Sequence, residues 1–362
     1  MSPDPVAALR EVGFWLERSR ADTHRVKAYR RAADLVEEMS PAERDRHAAK
    51  NSWSTVRGLG PKTVAIISQA VAGDVPTYLA EQRAAGAAPL AAGGAELRAA
   101  LRGDLHVHST WSDGGSPLAE MMATARALGH EYCAITDHSP RLRVANGLSA
   151  ERLQEQWAAI EDLQPELDGF RVLRGIEVDI LDDGGLDQER ALLDQLDIVV
   201  ASVHSNLRAD SETMTVRMVT AIANPRTNVL GHCTGRLVTG ERGVRPESVF
   251  DAEVVFEACR QFDVAVEINS RPERRDPPSR LIELARDTGC LFSIDTDAHA
   301  PGQLDFQTYG CERAEAAGIK PERIINTWPV DRLLGWAGAK KTAAAKQAAQ
   351  KQAARLRAGR RS

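Results

Sequence analysis

Leu105-His106-Val107-His108-Ser109-Thr110-Trp111-Ser112-Asp113-Gly114 opens on a short apolar run that ends in two histidines one residue apart. Alternate side chains of a β-strand share a face. If residues 104–108 are extended, His106 and His108 point the same way and Val107 the other. Two imidazoles converging at a strand end, with the Asp113 carboxylate close behind, begin a metal site if further ligands return to them. Taken alone, such a pair is more often an ordinary histidine couple on a solvated strand face. The rest of the chain decides between the two.

From residue 104 onward, apolar β-branched runs alternate with helical stretches. The pattern predicts strands at 104–108, 131–136, 171–178, 197–203, 228–231, 264–268 and 290–294. Between them it predicts helices at Pro117–Leu128, capped by Ser116 and stopped by Gly129, and at Ala150–Leu163, Ser211–Ala223, Ser248–Phe262 and Pro278–Thr288. Repeated β-then-α units imply an α/β fold built on a parallel barrel rather than an open sheet. Of the 9 histidines, His106, His108, His138, His204, His232 and His299 fall at or just past the C-terminal ends of these strands. Asp113, Asp137, Glu177 and Asp297 join them there. Active sites of parallel barrels form at that rim, and chance would not keep choosing one end of the strands. A metal centre is the expected result, with Asp137 beside the ligands rather than among them. His24, His47 and His130 lie off the rim and are assigned no chemistry.

Composition narrows the class. The 362 residues carry a net charge of −5, unevenly spread. Residues 1–100 are slightly basic, 101–337 strongly acidic, and 338–362 carry 8 basic residues and no acidic one. An acidic enzyme core with basic flanks fits metal binding at the centre and attraction to nucleic acid at the ends. No apolar run approaches the ~20 residues of a membrane span, so no membrane partner is expected. Met1-Ser-Pro-Asp-Pro lacks a signal-peptide pattern. The 5 cysteines are odd in number and widely spaced, which points to reduced thiols and a cytoplasmic location.

In the first hundred residues, Val6–Ser19 and Thr23–Met39 read as amphipathic helices, with Leu9, Val12 and Leu16 on one and Val26, Tyr29, Ala33 and Val36 on the other. Arg25, Lys27, Arg30 and Arg31 surround the second. Then Val56-Arg-Gly58-Leu-Gly60-Pro61-Lys62-Thr63 turns sharply into a helix. Glycines allow the tight hairpin, Pro61 suits a first turn, and free N–H groups with Lys62 can hold a phosphate. Gly58, Gly60 and Lys62 are therefore the candidate DNA contacts; an ordinary interhelical turn is the other reading. His24-Arg-Val-Lys-Ala-Tyr-Arg-Arg-Ala-Ala33 followed by Gly58–Lys62 resembles the small N-terminal helical domain of bacterial family X DNA polymerases. The resemblance covers about residues 5–85 and implies DNA binding. The Gly/Ala-rich stretch after it leaves no room for a polymerase core.

The barrel motifs carry a second resemblance. HVHSTWSDG at 106–114, TDHS at 136–139, GIEVD at 175–179, SVHS at 202–205, GHCTGR at 231–236, EINSRP at 267–272 and DTDAH at 295–299 are similar to the PHP (polymerase and histidinol phosphatase) family. The similarity spans about 103–335 and implies a distorted (β/α)7, TIM-like barrel with a trinuclear site. By that resemblance His106, His108, Glu177 and Asp297 hold one divalent ion. Glu177 bridges to a second held by His204 and His232, and Asp113, His138 and His299 hold a third. Asp113, Glu177 and Asp297 would be the carboxylates that serve catalysis. Asp113 is the residue of the polymerase-linked branch, where some small-molecule phosphatases place histidine. Cys233 stands beside a ligand and is expected to be a bystander.

Imidazole and carboxylate donors suit Zn²⁺, Mn²⁺ or Fe²⁺ without selecting among them. Such ions activate water for attack at phosphorus, so no protein nucleophile is required. Ser109, Arg236 and Arg271 are candidate phosphate contacts, against the alternative of rim salt bridges. The expected organisation is an all-α DNA-binding domain at 1–85, a linker at 86–102 with a short helix at Ala95–Leu101, the PHP domain at 103–335 and a basic tail at 338–362 that is disordered or a frayed helix. A DNA-directed metallophosphoesterase (3′-end processing, 3′–5′ exonuclease or abasic-site endonuclease) is the leading expectation. A phosphatase of small phosphomonoesters comes next, and a non-catalytic DNA-binding protein last.

Overall fold

The computed structural model describes residues 4–240 and 243–359, with side chains through residue 344. The end of the basic tail, 360–362, lies outside the described residues. The chain forms two units, one on the residues up to Leu90 with Ala300–Asp305, the other on Ala91–His299 and the chain from Phe306 onward.

The first unit is helical: α1 Pro5–Arg18, α2 Thr23–Glu37, α3 Pro41–Lys50, α4 Pro61–Val71 and α5 Thr77–Ala85. The apolar stripes expected on α1 and α2 meet Ile66, Ile67, Leu79 and Trp53 in one core. Periodicity did not announce α3, because it buries no residue. Its ends account for it: Ser40 and Glu43 form a reciprocal capping box, and Asn51 closes the helix in the left-handed conformation at φ 46°. The hairpin before α4 turns at Gly58, whose φ of +100° disfavours any side chain. Thr63 Oγ1 accepts from Gly60 N at 3.0 Å, and Lys62 is exposed.

The second unit begins inside the stretch expected to be linker. Ala92 N and Gly94 N donate to Glu312 and Glu315 at 3.0 and 2.8 Å, and α6 Ala95–Ala100 follows. Then come β1 Gly103–Val107, α7 Leu118–Ala127, β2 Tyr132–Ile135, α8 Ala150–Leu163, β3 Arg171–Asp179, α9 Arg190–Leu193, β4 Ile198–Ser202, α10 Ser211–Ile222, β5 Val229–Leu230, α11 Ala252–Gln261, β6 Ala265–Asn269, α12 Ser279–Thr288, β7 Phe292–Asp295, α13 Gln307–Ala316 and α14 Val330–Gly359. The seven strands pair in parallel in chain order, giving the α/β barrel the alternation implied. Ser116 does not cap α7; Pro117 takes that position without a side-chain bond.

Strands β1 and β7 meet through a single parallel bridge, Val107 with Ala298, where His108 N donates to the Ala298 carbonyl at 2.8 Å. Below it, side chains replace the ladder. Asp104 Oδ2 accepts from Thr296 Oγ1 at 2.6 Å, and Asp295 Oδ1 accepts from Leu105 N at 2.9 Å. The barrel is nearly closed, with carboxylates completing its seam.

The opposite end of the barrel is stoppered by the chain's C-terminal part. Trp328, Leu333 and Ala337 pack with Leu105, Leu173, Ile198, Val200 and Ala265. Lys340 Nζ donates to the Thr227 carbonyl and Lys341 Nζ to that of Leu196 at 2.5 Å. The stretch 338–359, for which disorder and a frayed helix were the two expectations, is helical. Alanine, lysine, glutamine and arginine are all strong helix formers, and a helix already anchored by Leu333 needs no new nucleus. Among the described residues, no helix is long and apolar enough to cross a membrane.

His130, just before β2, is buried with neither ring nitrogen hydrogen-bonded. Burial, aided by Arg98, pushes its pKa down to about 3. The unfolded chain, titrating near 6.5, binds the proton first, so stability is lost as pH falls below that value. The slope is about 1.4 kcal/mol per pH unit. Replacing His130 by Leu should remove this component. Thermal unfolding at pH 7 and pH 5 should show H130L losing about 2 kcal/mol less than the wild type, and parallel losses would refute the assignment.

Candidate metal centre

Each rim residue reaches the barrel mouth through its strand. His106 lies within β1 and His108 one residue past it, both fully buried on the inner face, with ring centroids 5.2 Å apart. Val107 lies between them in the alternation that places the two rings together. β3 delivers Glu177. The turns after β2, β4, β5 and β7 deliver His138, His204, His232 and the Asp297–His299 pair. Asp113 comes from the turn after β1.

Glu177 sits at the middle. Its Oε1 is 2.9 Å from His232 Nε2 and 3.3 Å from His204 Nε2. Its Oε2 is 2.9 Å from His138 Nδ1, 3.3 Å from His106 Nε2 and 3.6 Å from His108 Nε2. Asp297 Oδ1 stands 3.4 Å from His108 Nε2 and 3.5 Å from His299 Nδ1. Asp113 Oδ1 stands 3.3 Å from His299 Nε2 and 3.5 Å from His138 Nε2. The donor atoms gather as three groups: His106, His108 and Asp297; His138, Glu177 and His204; and His108, Asp113, His138 and His299. His138 stands between two of them, one ring nitrogen toward Glu177 and the other toward Asp113.

These spacings fit cations. Donors about 2.1 Å from one ion, at angles between square and tetrahedral, stand about 3.0–3.4 Å apart. The nitrogens His106 Nε2, His108 Nε2 and His138 Nδ1 and the oxygen Glu177 Oε2 are buried without a hydrogen-bond partner. Buried orphans of this kind cost about 1–3 kcal/mol each, and a shared cation satisfies them together. Protonation states divide: Glu177 and Glu267 outweigh burial and hold His106 well above its usual range, and Glu177 with Asp179 pushes His204 up to about 9, so a cation must displace a proton from each. Burial beside His299 and His138 pushes the pKa of His108 down to about 3, and burial near Arg274 pushes that of His232 to about 4, leaving neutral rings. Burial opposes ionisation of Glu177, but His106, His204 and His138 outweigh it and hold the carboxyl well below its usual range.

A surrounding layer, largely unassigned from the sequence, fixes these donors. Glu267 Oε1 lies 2.6 Å from His106 Nδ1, and its Oε2 accepts from His232 N at 2.5 Å. Asp179 is bonded to His204 Nδ1. Asn269 and Arg274 donate to Asp297 Oδ2 at 3.1 and 3.0 Å, holding a ligand whose φ is +52°. Glu267 and Asn269 share a face of β6 as His106 does on β1, so alternation was the signal that could have found them. Asp137 accepts from Ser109 N, Ser112 N and Gln156 Nε2 at 2.8, 3.2 and 2.6 Å, which fixes the turn leading to Asp113.

The candidate phosphate contacts divide. Arg271 reaches the centre, with Nη1 3.1 Å from His299 Nδ1. Ser109 does not: its hydroxyl donates to Asp137 at 2.7 Å and accepts from Trp111 N at 3.2 Å. Arg236 is held by Glu247 at 3.2 Å and by the carbonyls of Arg274 and Arg275. Its fork completes a loop rather than an anion site. Cys233 is buried and its thiol is pushed well above the usual range by burial and by Asp276, so it offers no thiolate. Gly58, Gly60 and Lys62 belong to the other unit.

Glu267 gives a direct test of the layer that orients the ligands. A Glu267→Gln variant should keep its fold and bind Zn²⁺ or Mn²⁺ roughly 10- to 100-fold more weakly, measured by competition with a chromophoric chelator. An unchanged affinity would remove Glu267 from that layer.

The chain is 38% identical over 226 residues to the DNA polymerase/3′-5′ exonuclease PolX of Bacillus subtilis, a match that takes in 62% of this chain and 39% of that protein. It is 29% identical over 252 residues to the probable phosphatase YcdX of Escherichia coli K12, covering 66% of this chain and 95% of YcdX. Histidinol phosphate phosphatase from Lactococcus lactis, solved with zinc, L-histidinol and phosphate, superposes with a TM-score of 0.44 at 19% identity over 60% of this chain and 94% of its own. The PHP domain model matches residues 104–271, from β1 to the turn after β6. That stretch of the barrel is a PHP domain.

Proposed function

We propose that this chain is a metal-dependent phosphoesterase that hydrolyses DNA phosphate esters, at a 3′ end or an abasic site. The convergence of imidazoles and carboxylates on Glu177 and Asp297 within a PHP domain carries the reading. His106, His108, Glu177 and Asp297 would hold a first ion. Glu177 with His204 and His232 would hold a second, and Asp113, His138 and His299 a third. Bound divalent ions supply Lewis acidity, lowering the pKa of water and stabilising the entering and leaving oxygens of an in-line displacement at phosphorus.

The chain's own residues do the positioning. Glu267 and Asp179 fix the rings of His106 and His204, so that Nε2 of each faces the centre. Arg274 compensates the buried charge of Asp297. Arg271, at the edge of the centre, is placed to hold a non-bridging phosphate oxygen through its planar fork. Burial of nearly every donor keeps bulk water out, so the electrostatic interactions are strong.

Two observations support DNA as substrate. One is the likeness to PolX, whose name includes a 3′-5′ exonuclease. The other is the hairpin at Gly58 and Gly60, with Lys62 exposed at the start of α4, an arrangement suited to the sugar-phosphate backbone. A small phosphomonoester is the second reading, favoured by the match across 95% of YcdX.

Turnover of a 3′-recessed duplex and of p-nitrophenyl phosphate, with Mn²⁺ or Zn²⁺ supplied, separates the readings. Release of nucleotides from the duplex is expected, with His106→Ala reducing it at least roughly 100-fold. Lys62→Glu should raise KM for DNA and reduce its salt dependence by about one counterion, leaving the small ester untouched. Hydrolysis of the small ester alone would favour the second reading, and full activity in His106→Ala would refute both.

A further inference from the structure

The turn that follows the ligand His138 is built as a rigid arm with an unusual tip. From Ser139 to Ser149 it contains Arg141 and Arg143 as its only charged residues, within a segment of the chain that is otherwise strongly acidic. Both arginines are exposed, and neither guanidinium has a hydrogen-bond or ion-pair partner among the described residues. Val144, beside them, is 93% exposed, the most exposed large apolar residue described.

This exposure is not slackness. Leu148 N donates to the His138 carbonyl at 2.7 Å, tying the end of the arm to its start. Asp187 Oδ2 accepts from Ser139 Oγ at 2.9 Å and from Arg141 N at 2.6 Å. Arg152 Nη1 donates to the Asn146 carbonyl at 2.8 Å, while Nη2 bonds the Trp111 carbonyl in the turn that carries Asp113. At Gly147 an added Cβ would lie 1.9 Å from the Ser139 carbonyl oxygen, so the close return of the chain excludes any side chain. Ala145 and Leu148 are buried beneath. A pre-ordered arm holds its tip in place without further ordering on binding.

Unpaired arginines in an acidic domain suit an anion outside the protein, and two on one short turn suit successive phosphates. An apolar tip beside them suits the exposed face of a base at a strand end. We propose that the arm from Ser139 to Leu148 is a DNA-end contact, with Arg141 and Arg143 on backbone phosphates and Val144 against the terminal base. This inference rests on the DNA reading of the metal centre and adds where the strand is held.

The test compares wild type with Arg141→Glu/Arg143→Glu, Arg141→Lys/Arg143→Lys and Val144→Asp, on a 3′-recessed duplex and on p-nitrophenyl phosphate. For the double glutamate variant, KM for DNA should rise about 10-fold and the salt slope should fall by about 1.5 to 2. Val144→Asp should raise KM for DNA with the slope kept. The double lysine variant should recover most of the DNA binding, and kinetics on p-nitrophenyl phosphate should not change. Unaltered DNA kinetics in all variants, with the wild type active on DNA, would overturn the proposal and leave the DNA reading standing. Equal losses on both substrates would overturn it too, since the arm would then act through His138. A wild type active on the small ester and inert on DNA would overturn this inference together with the reading beneath it.

Discussion

The centre depends on one buried carboxylate. Glu177 is almost fully enclosed, and five imidazoles approach its two oxygens within 3.6 Å. A lone carboxylate in such a place would be driven to protonate. The surrounding rings, and the cations for which their unpaired nitrogens are arranged, reverse that preference. Every strand end that contributes a ring must therefore arrive at the same point. The parallel barrel is the architecture that brings several chain segments to one rim with like orientation, so the demand of this one group and the choice of fold are two aspects of a single requirement.

Much of this was legible in the sequence because strand alternation and strand ends are local properties. The pairing of His106 with His108, and the recurrence of histidine just past successive apolar runs, required only a period of two and a count of elements. What was not legible depended on satisfaction rather than on pattern. Arg236 and Ser109 looked available for phosphate because their types and positions suit it; only the folded chain reveals Glu247, the 274 and 275 carbonyls and Asp137 already occupying them. The converse holds for Glu267, inside the barrel, and Arg274, on the turn after β6, whose partners come from other parts of the chain. α3 was missed because its stability is in its caps, and the tail was left between helix and disorder because it has no regular apolar face.

The domain separates two tasks by position. Its floor is an apolar plug from α14, fastened by Lys340 and Lys341 to main-chain carbonyls. Its rim carries the donors and the arginines. Part of the segment's acidity is internal: Glu177, Asp179, Glu267 and Asp297 are buried around the donors.

The seam between β1 and β7 carries a further consequence. Closure there rests on one main-chain bridge and on the carboxyls of Asp104 and Asp295. The bridging residues, Val107 and Ala298, each stand between two metal-ligand candidates in sequence: His106 and His108 on one side, Asp297 and His299 on the other. An ion held across His108 and Asp297 would then also span this seam. Metal binding at the centre would then add to the stability of barrel closure, beyond what the bridge and the two carboxyls supply.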